Sequence, residues 1–414
     1  MFPIEIHTAD WVLIAMLSVL FIAQVYFYAR YMAAPARKMR KKSSAPSLQD
    51  GEEEPAVSVI LCARNEGDNL TNYLSVLLTQ DYPTYEVIVV NDGSEDNTRD
   101  VIEDYMLRYP HLRTTFVPLG ARVRSTKKLA LTLGAKAARY DYLLMTDADC
   151  VPESSQWIRE MVKGFGKVPS DQVPSDEVPS DEVPSDEVPS DEVPSTKDIV
   201  LGFGAYFAEK GHVNRLVRYD TLFNGLHYLG AALCGHPYMG VGRNLAYRKS
   251  LFFESGGFTH LMTSSAGDDD LFVNHTATGE NTTVVLSRES ITWSPAKKTM
   301  KEWWQQKRRH LSVSPSYRRD TQWRLVIEPV IRGLFYAAIL ASVIYSLRTL
   351  NFLPLYIALV LFLTRWLLQT LILNVSARRM GVHGFQPQTV LWFDIVLPLV
   401  NLWMLAIPKR KIKW

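Results

Sequence analysis

Three short polar segments each follow an apolar run that is typical of a strand. They span residues 63–66 (Ala-Arg-Asn-Glu), 91–94 (Asn-Asp-Gly-Ser) and 147–149 (Asp-Ala-Asp). In the third segment two carboxylates stand one residue apart, a spacing at which they can share a hard divalent cation. Mg²⁺ or Mn²⁺ prefers such oxygen ligands and usually bridges them to phosphates. The same residue types are common in ordinary turns, so the residues alone leave a metal–phosphate site and simple turn chemistry both open.

A run of three acids, Asp268, Asp269 and Asp270, forms a second candidate site. Adjacent carboxylates repel one another, which tends to raise the pKa of at least one of them. A carboxylate in such a place can take the proton from an attacking hydroxyl. Alternatively, the acids cap a helix that begins near Leu271, because the N-terminus of a helix favours negative charge. The two roles are compatible.

Alternating strand-like and helix-like segments must position these acids. Short runs rich in Val, Ile or Leu predict strands, and helical spacing of apolar residues predicts helices between them. The strands are 57–62, 86–90 and 142–145, and the helices are 69–79, 98–108 and 127–139. This alternation predicts a parallel, doubly wound sheet. Ligands of such sheets bind beyond the carboxyl ends of the strands, where the three polar segments lie.

Four apolar stretches are long enough to approach or cross a bilayer core of about 30 Å. They span residues 11–29, 330–347, 352–375 and 389–407. The first has an acidic start and a basic cluster after it, which predicts an uncleaved anchor rather than a signal peptide. The positive-inside rule then places the residues that follow it in the cytoplasm.

The basic tail does not fit a simple count of membrane spans. One N-terminal and three C-terminal spans would leave residues 409–413 outside, whereas the positive-inside rule favours the cytoplasm for Lys409, Arg410, Lys411 and Lys413. We therefore expect one C-terminal stretch to be re-entrant or interfacial. Within these stretches, Arg365 and Asp394 are expected to snorkel or to pair with each other.

The balanced composition conceals an uneven distribution of charge. The 414 residues carry 45 Lys and Arg against 43 Asp and Glu, a net charge of +2 that does not suggest a nucleic-acid-binding protein. Residues 168–195 repeat Val-Pro-Ser-Asp-Glu and hold nine of the acids. The rest of the sequence has 34 acids and 45 basic residues, a net charge of +11.

Proline at every fifth position of residues 168–195 blocks helix and central strand, so this segment is expected to be a disordered or extended spacer loop without chemistry. It lies between a predicted helix at 157–163 and a predicted strand at 199–203. Three scattered cysteines fit a reducing compartment.

The polar segments and several later ones, taken in order, strongly resemble the family 2 glycosyltransferases with the GT-A fold. The motifs are Ser-Val-Ile-Leu-Cys-Ala-Arg-Asn-Glu (58–66), Val-Ile-Val-Val-Asn-Asp-Gly-Ser (87–94), Lys127-x-x-Ala130-Leu131, Leu-Met-Thr-Asp-Ala-Asp (144–149), Gly-Val-Gly-Arg-Asn-Leu-Ala-Tyr (240–247), Gly-Asp-Asp-Asp-Leu (267–271) and Gln306-x-x-Arg309-His310. The resemblance covers roughly residues 56–311 and the flanking membrane helices. It departs from the family at His310, where a tryptophan is usual, and at Gly267, where a glutamate is common. It implies an α/β protein: a Rossmann-like GT-A domain with a mixed, mostly parallel sheet, flanked by transmembrane and interfacial helices.

The resemblance also implies a role for each matching residue. Donor binding falls to Ala63, Arg64, Glu66, Asp92, Lys127 and Asp147, with Lys127 near the phosphates. Asp149, together with Asp147, would hold Mg²⁺ or Mn²⁺. Asp268 would be the general base, with Asp269 its rival. The diphosphate and the acceptor would lie near Gln306, Arg309, His310, Arg243 and Asn244.

These roles predict an inverting membrane glycosyltransferase. It would move a sugar from a nucleotide-diphosphate sugar, with a UDP-sugar expected, to a membrane lipid or a lipid-linked glycan. The alternatives are a processive polysaccharide synthase and an inactive scaffold that uses the acidic repeat. A nucleotidyltransferase could share the sheet and Asp-x-Asp but would not be expected to carry the later, acceptor-side motifs.

The expected organisation follows the composition of the chain. Residues 1–55 would form the anchor and a polar linker, 56–295 the catalytic domain, 296–326 interfacial helices and 327–414 the C-terminal membrane helices and basic tail. The paired tryptophans Trp303 and Trp304, beside Arg308, are typical of a helix at a bilayer surface. We expect an integral protein of the bacterial inner membrane with its catalytic domain in the cytoplasm.

Overall fold

The computed structural model describes residues 7–40, 54–118, 120, 123, 125–166, 197–261 and 266–406. The chain divides into two compact units. One, here called the membrane unit, comprises Met1–Ser43, Ala205–Met239 and Ser294–Trp414, and the other, the sheet unit, comprises Ser44–Gly204 and Gly240–Trp293. The acidic repeat and the basic tail both lie outside the described residues, so the expectations about them stay predictions.

The described residues form ten strands and thirteen α-helices. The strands are β1 (Val57–Ala63), β2 (Tyr85–Asn91), β3 (Leu112–Phe116), β4 (Tyr142–Asp147), β5 (Val151–Pro152), β6 (Ile199–Leu201), β7 (Gly204–Tyr206), β8 (Leu245–Arg248), β9 (Thr282–Val284) and β10 (Thr292–Ser294). The helices are α1 (Thr8–Phe27), α2 (Ala34–Arg40), α3 (Gly67–Leu78), α4 (Thr98–Arg108), α5 (Thr126–Ala137), α6 (Trp157–Val162), α7 (His212–Leu233), α8 (Lys249–Glu254), α9 (Asp270–Thr276), α10 (Met300–Leu311), α11 (Arg319–Thr349), α12 (Leu353–Arg379) and α13 (Pro387–Ala406). A π-helical turn, Tyr28–Met32, continues α1.

The sheet unit is built on a seven-stranded sheet with the order β3-β2-β1-β4-β8-β6-β9. The neighbouring pairs β1–β2, β1–β4, β2–β3 and β6–β9 are parallel, whereas β8 runs antiparallel to both β4 and β6. The predicted mixed, mostly parallel sheet is therefore confirmed. The three strands and three helices predicted for its first half are also confirmed, with ends that lie within two residues of those expected.

Apolar residues on both faces of the sheet explain why its central strands are buried. On one face, Leu70, Leu74 and Leu77 of α3 recur at helical spacing and pack into the core that contains Val59 of β1. On the other face, α5 approaches the sheet closely: a Cβ added at its Gly134 would lie 2.6 Å from Cγ2 of Ile60. Helices thus cover both faces, as in a doubly wound fold.

The membrane unit contains four helical segments long and apolar enough to cross a membrane. They are Thr8–Met32, Arg319–Thr349, Leu353–Arg379 and Pro387–Ala406, so the described residues of the four predicted apolar stretches are helical, apart from Phe352. Many of their large apolar side chains are exposed, and a small core forms where Leu17, Phe335, Ala338 and Ala358 meet. Lipid is the environment that accepts such exposed apolar surface.

Helix α7 belongs to the membrane unit, although the sequence places residues 56–295 in one catalytic domain. In the structure, Ala205–Met239 groups with the membrane helices. Gly230 of α7 lies against the π-helical turn, where an added Cβ would be 2.0 Å from the carbonyl oxygen of Tyr31. A glycine at this crossing therefore lets the two backbones touch.

Ionisable side chains inside the membrane unit pair with one another. Arg365 Nη1 donates to Asp394 Oδ2 at 2.7 Å, and Arg332 Nη1 donates to Asp394 Oδ1 at 2.9 Å. Arg332 also pairs with Glu328 at 2.9 Å, so two cations face two anions. The expected pairing of Arg365 with Asp394 is confirmed, and because Arg365 is fully buried its guanidinium does not snorkel.

Candidate active site

The predicted donor segments lie at the point where the strand order of the sheet reverses. Strand β1 has β2 on one side and β4 on the other, and the three run parallel. Cys62 pairs with Asp147, and Ala63 pairs with Asn91, so the carboxyl ends of all three strands are level. Ligands of open α/β sheets bind in the crevice at such a reversal.

The loops after β1 and β2 are joined by hydrogen bonds. Asn65 N donates to Ser94 Oγ at 3.1 Å, and Asn65 Oδ1 accepts from Glu95 N at 2.8 Å. Ser94 N donates in turn to Asn91 Oδ1 at 2.9 Å. Asn65 adopts a φ of 56° and Gly93 a φ of 66°. The loop residues therefore do form turns, and these turns build one rim of the crevice.

Asp92 is held rigidly within this rim. Its backbone N donates to the Ala63 carbonyl oxygen at 2.8 Å, and its Oδ2 accepts from Thr126 Oγ1 at 2.6 Å. Its side chain is buried. Sequence reasoning missed Thr126, although it stands next to Lys127 and begins α5. The hydroxyl orients the Asp92 carboxylate that is expected to bind the donor.

The other donor-side candidates of the first loop differ in environment. Arg64 is exposed. Glu66 Oε2 accepts from Asn69 Nδ2 at 2.6 Å, and its backbone N donates to Thr98 Oγ1 at 2.9 Å. Glu66 is thus fixed at the start of α3, while the guanidinium of Arg64 faces solvent.

Lys127 joins two acids from distant parts of the chain. Its Nζ lies 3.0 Å from Asp147 Oδ1 and 3.2 Å from Asp268 Oδ2. The lysine side chain is 43% exposed, against 31% for Asp147 and 12% for Asp268. Burial acts to lower the pKa of Lys127, but the carboxylates of Asp147 and Asp268 outweigh it and raise that pKa well above its usual value. Lys127 is therefore a permanent cation between the two acids.

Asp268 and Asp269 have opposite environments although they are adjacent. Asp269 Oδ2 accepts from Gly242 N at 2.8 Å, and its Oδ1 accepts from Asp270 N at 2.8 Å, which caps α9. Burial and the Asp268 charge raise the pKa of Asp269. Burial also acts to raise the pKa of Asp268, but Lys127 outweighs it, so the pKa of Asp268 lies below its usual value.

Asp147, Asp149 and Cys150 form a candidate metal centre. One potential ligand atom from each lies within 4.8 Å of the others. Two carboxylates suit Mg²⁺ or Mn²⁺, and their position at the strand end is where a nucleotide diphosphate would bind. Cys150 was missed by sequence reasoning, although it directly follows the Asp-x-Asp pair; its Sγ donates to Asp149 Oδ1 at 3.5 Å. The donor set therefore fits a divalent cation.

The two acceptor-side candidates before β8 make contacts within the sheet unit. Arg243 Nη2 donates to the Gly204 carbonyl oxygen at 3.0 Å. Asn244 is fully buried; its Nδ2 donates to the carbonyl oxygens of Phe203 and Ser290, and its Oδ1 accepts from Trp157 Nε1 at 3.0 Å. Asn244 thus ties three segments of the core together.

The remaining candidates, Gln306, Arg309 and His310, lie on α10 in the membrane unit. Gln306 Nε2 donates to Tyr206 Oη at 3.1 Å. The next residue, Lys307, pairs with Asp220 of α7 at 2.6 Å. These contacts attach α10 to the rest of its own unit, and the role of the three residues toward diphosphate and acceptor stays a prediction.

Two family models match consecutive parts of the chain. Residues 58–212 match glycosyl transferase family 2, and residues 219–414 match glycosyl transferase family 21. The first match covers the strands and polar loops that build the crevice. The second begins within α7 and extends through α13, and it includes the acidic run Asp268–Asp270.

The curated relatives match less than a third of this chain. A poly-beta-1,6-N-acetyl-D-glucosamine synthase from Staphylococcus epidermidis is 34% identical over 118 residues, which are 28% of this chain and 27% of the relative. The protein of the same name from Staphylococcus aureus is 29% identical over 130 residues, 31% of this chain and 29% of the relative. The chain thus matches little more than a quarter of the length of these relatives.

Among solved structures, the fold is similar to that of a mannosyltransferase from Pyrobaculum calidifontis, solved in complex with GDP-Man and Mn²⁺. The TM-score is 0.54 at 19% sequence identity, and the match covers 90% of this chain and 98% of that one. At this identity the likeness concerns the fold. Residues 58–212 therefore carry a glycosyl transferase family 2 domain in the GT-A fold, and residues 219–414 match glycosyl transferase family 21.

Proposed function

We propose that the protein is an inverting, metal-dependent glycosyltransferase that moves a sugar from a nucleotide-diphosphate sugar to a hydroxyl of a membrane-associated acceptor. One observation carries this proposal. Asp147, a candidate metal ligand together with Asp149, and Asp268 both contact Lys127, although Asp147 and Asp268 are far apart in the sequence. A cation-binding pair beside a candidate base is the arrangement that such a transfer requires.

In the proposed reaction, the acceptor oxygen bonds to the anomeric carbon on the face opposite the diphosphate. The bond from that carbon to the diphosphate breaks, and the carboxylate of Asp268 takes the proton from the acceptor hydroxyl. Asp147 and Asp149 would hold a divalent cation, which when bound offsets the negative charge of the departing diphosphate. Asp92 and the loop that contains Glu66 would hold the nucleoside.

Asp268 is a better candidate for the base than Asp269. Both carboxylate oxygens of Asp269 accept backbone N–H groups, one of them from Asp270 at the start of α9, so this side chain is held as a helix cap. Asp268 instead contacts the side chain of Lys127. We interpret Asn244 as structural, because a fully buried side chain with three hydrogen bonds inside the core does not reach an acceptor.

The donor we propose is a UDP-sugar, with GDP-mannose as its competitor because the mannosyltransferase of similar fold binds GDP-Man. For the acceptor we propose a membrane lipid or a lipid-linked glycan. The described residues contain four helices able to span a membrane, which leaves little room for a channel through one protomer. We further propose that the sheet unit lies in the cytoplasm, since the basic residues after α1 favour that side of the membrane by the positive-inside rule.

A processive polysaccharide synthase is the second candidate. It is favoured by the curated relatives, which bear the name of a polymer synthase. The two candidates differ in their product, since a single transfer adds one sugar mass to the acceptor, whereas a synthase gives a ladder of masses. An inactive scaffold would bind no nucleotide.

The test is a donor screen with the purified full-length protein in lipid, with products read by mass. Asp149→Ala should reduce Mn²⁺-dependent transfer and donor hydrolysis by about 100-fold or more, because loss of a ligand removes several kcal/mol of charge stabilisation. Asp104→Ala is the matched control, since Asp104 is exposed on α4 and forms an ion pair with Arg108 of the same helix. Wild-type turnover by Asp149→Ala would refute the metal assignment. Failure of the wild-type protein to bind UDP or GDP with Mn²⁺ would favour the scaffold.

A further inference from the structure

Lys127 and Lys128, two consecutive lysines at the start of α5, make different contacts. Lys128 is fully buried, and its Nζ donates to the carbonyl oxygens of Leu261 at 2.7 Å and Ala266 at 2.8 Å. Ala266 lies two residues before Asp268, so Lys128 fixes the backbone that carries the candidate base. Lys127 faces the crevice and contacts the acids themselves.

The contact between Lys127 and Asp147 conflicts with the binding of a cation. Asp147 Oδ1 accepts from Lys127 Nζ at 3.0 Å, yet Asp147 is also one of the candidate metal ligands. A divalent cation at Asp147 and the ammonium on the same carboxylate would be within a few ångström, where like charges repel strongly. The cation and the ammonium therefore compete for this carboxylate.

The contact between Lys127 and Asp268 has a separate consequence. An ammonium 3.2 Å from Asp268 Oδ2 stabilises the ionised carboxylate and weakens it as a proton acceptor. A base in this arrangement becomes effective only when the ammonium moves away. The diphosphate of a nucleotide sugar offers Lys127 stronger and more numerous anionic acceptors than either aspartate.

We propose that Lys127 is a positioning residue that couples donor binding to the release of the base. Its ammonium opposes the cation at Asp147 and restrains Asp268, and the donor diphosphate takes the ammonium when cation and donor bind together. Asp268 is then free to accept the proton of the acceptor. This inference rests on the proposed function, and it goes further by making the binding of metal and nucleotide mutually dependent.

The inference makes a prediction in which two binding constants move in opposite directions. In Lys127→Met, Mn²⁺ alone should bind about fivefold more tightly than in the wild type, because the competing ammonium is gone. UDP at saturating Mn²⁺ should bind about tenfold more weakly, because a charge-assisted contact to the diphosphate is lost. Calorimetry with the full-length protein in lipid nanodiscs measures both constants without any transfer reaction, and GDP is titrated in parallel.

Three further variants separate coupling from a structural defect. Lys127→Arg keeps the charge and should bind Mn²⁺ alone as weakly as the wild type, whereas Lys127→Gln should behave like Lys127→Met. Lys136→Met removes an exposed charge from the same helix and should change neither constant. A destabilised site would weaken both ligands together.

Unchanged or weaker binding of Mn²⁺ alone by both neutral variants would overturn the inference. Its failure is distinguishable from that of the proposed function. If the wild-type protein transfers no sugar, the comparison of Mn²⁺ affinities still decides whether Lys127 opposes the cation. If transfer occurs but the two constants fall together, the function stands and the coupling does not.

Discussion

At the scale of single residues, the chemistry depends on which neighbour each carboxylate meets. Asp268 and Asp269 are adjacent residues with the same side chain, and both side chains are largely shielded from solvent. One faces the ammonium of Lys127, which lowers the pKa of Asp268 despite burial, and the other faces its own acidic neighbour. Backbone N–H groups then make Asp269 a cap, so the adjacent acids divide into a candidate base and a structural residue.

This division predicts different losses for the two alanine variants. Asp268→Ala should lower transfer by about 10²- to 10⁴-fold with little change in melting temperature, because a general base is removed. Asp269→Ala should destabilise the sheet unit by about 1–2 kcal/mol, because the cap of α9 is lost. Thermal unfolding and steady-state transfer, measured on both proteins, check the assignment. Equal loss of activity with no loss of stability in Asp269→Ala would reverse it.

The pH profile of the wild-type enzyme provides a second check on Asp268. A lowered pKa means that the carboxylate stays ionised to a lower pH than an ordinary aspartate. The acid limb of kcat/KM, which reports the free enzyme in which Lys127 contacts Asp268, should therefore lie below the usual pKa of an aspartate. An acid limb of kcat/KM near neutral pH would show that another group is the base.

At the scale of helices and strands, the membrane helices are held together by a buried polar cluster. Asp394 of α13 accepts from Arg332 of α11 and from Arg365 of α12, and also from Gln369 Nε2 at 2.9 Å. Polar side chains at membrane depth are costly unless they are paired. One aspartate thus fixes the register of three long helices.

The cluster predicts that Asp394→Ala is strongly destabilising. Two guanidinium groups would lose the carboxylate between them, and removing one partner of a buried ion pair costs about 3–5 kcal/mol. The measurement is the thermal unfolding midpoint of the detergent-solubilised protein. Asp320→Ala, an exposed aspartate in the first turn of α11, is the control. A midpoint equal to that of the wild type would mean that Asp394 does not hold the helices.

At the scale of the whole molecule, the two segments that flank the acidic repeat lie next to each other. Lys197 N donates to the Phe165 carbonyl oxygen at 2.8 Å, so the residues that flank the repeat are already joined by a hydrogen bond. Insertions whose ends lie together cost a fold little. The flanks therefore agree with the predicted spacer, although the repeat itself lies outside the described residues.

Deleting residues 168–195 should consequently leave activity largely intact. The two residues that remain between Gly166 and Lys197 can close a short turn at the existing hydrogen bond. Donor turnover in lipid and the melting temperature, compared with those of the full-length protein, measure the effect. A complete loss of activity in a folded deletion protein would refute the spacer interpretation and assign the repeat a functional role.

Much of the fold could be predicted because local periodicity reports local structure. The strands around Val59, Val89 and Leu144 are continuous apolar runs, which is typical of strands buried on both faces. Helix α7 was not predicted as part of the membrane unit, because it is more polar than a membrane span. Its place depends on partners such as the backbone of Tyr31, which local pattern does not reveal.

The sequence by itself determined three central strands of the sheet and the helices between them, the four apolar helices and the presence of acids at strand ends, since each depends on neighbouring residues. Only the tertiary structure decided that Lys127 bridges Asp147 and Asp268, that Asp269 caps α9 and that Asp394 is shared by two arginines. Each of these contacts except the cap joins residues far apart in the chain. Their formation depends on how the whole chain packs, and that packing sets the charges that each carboxylate meets.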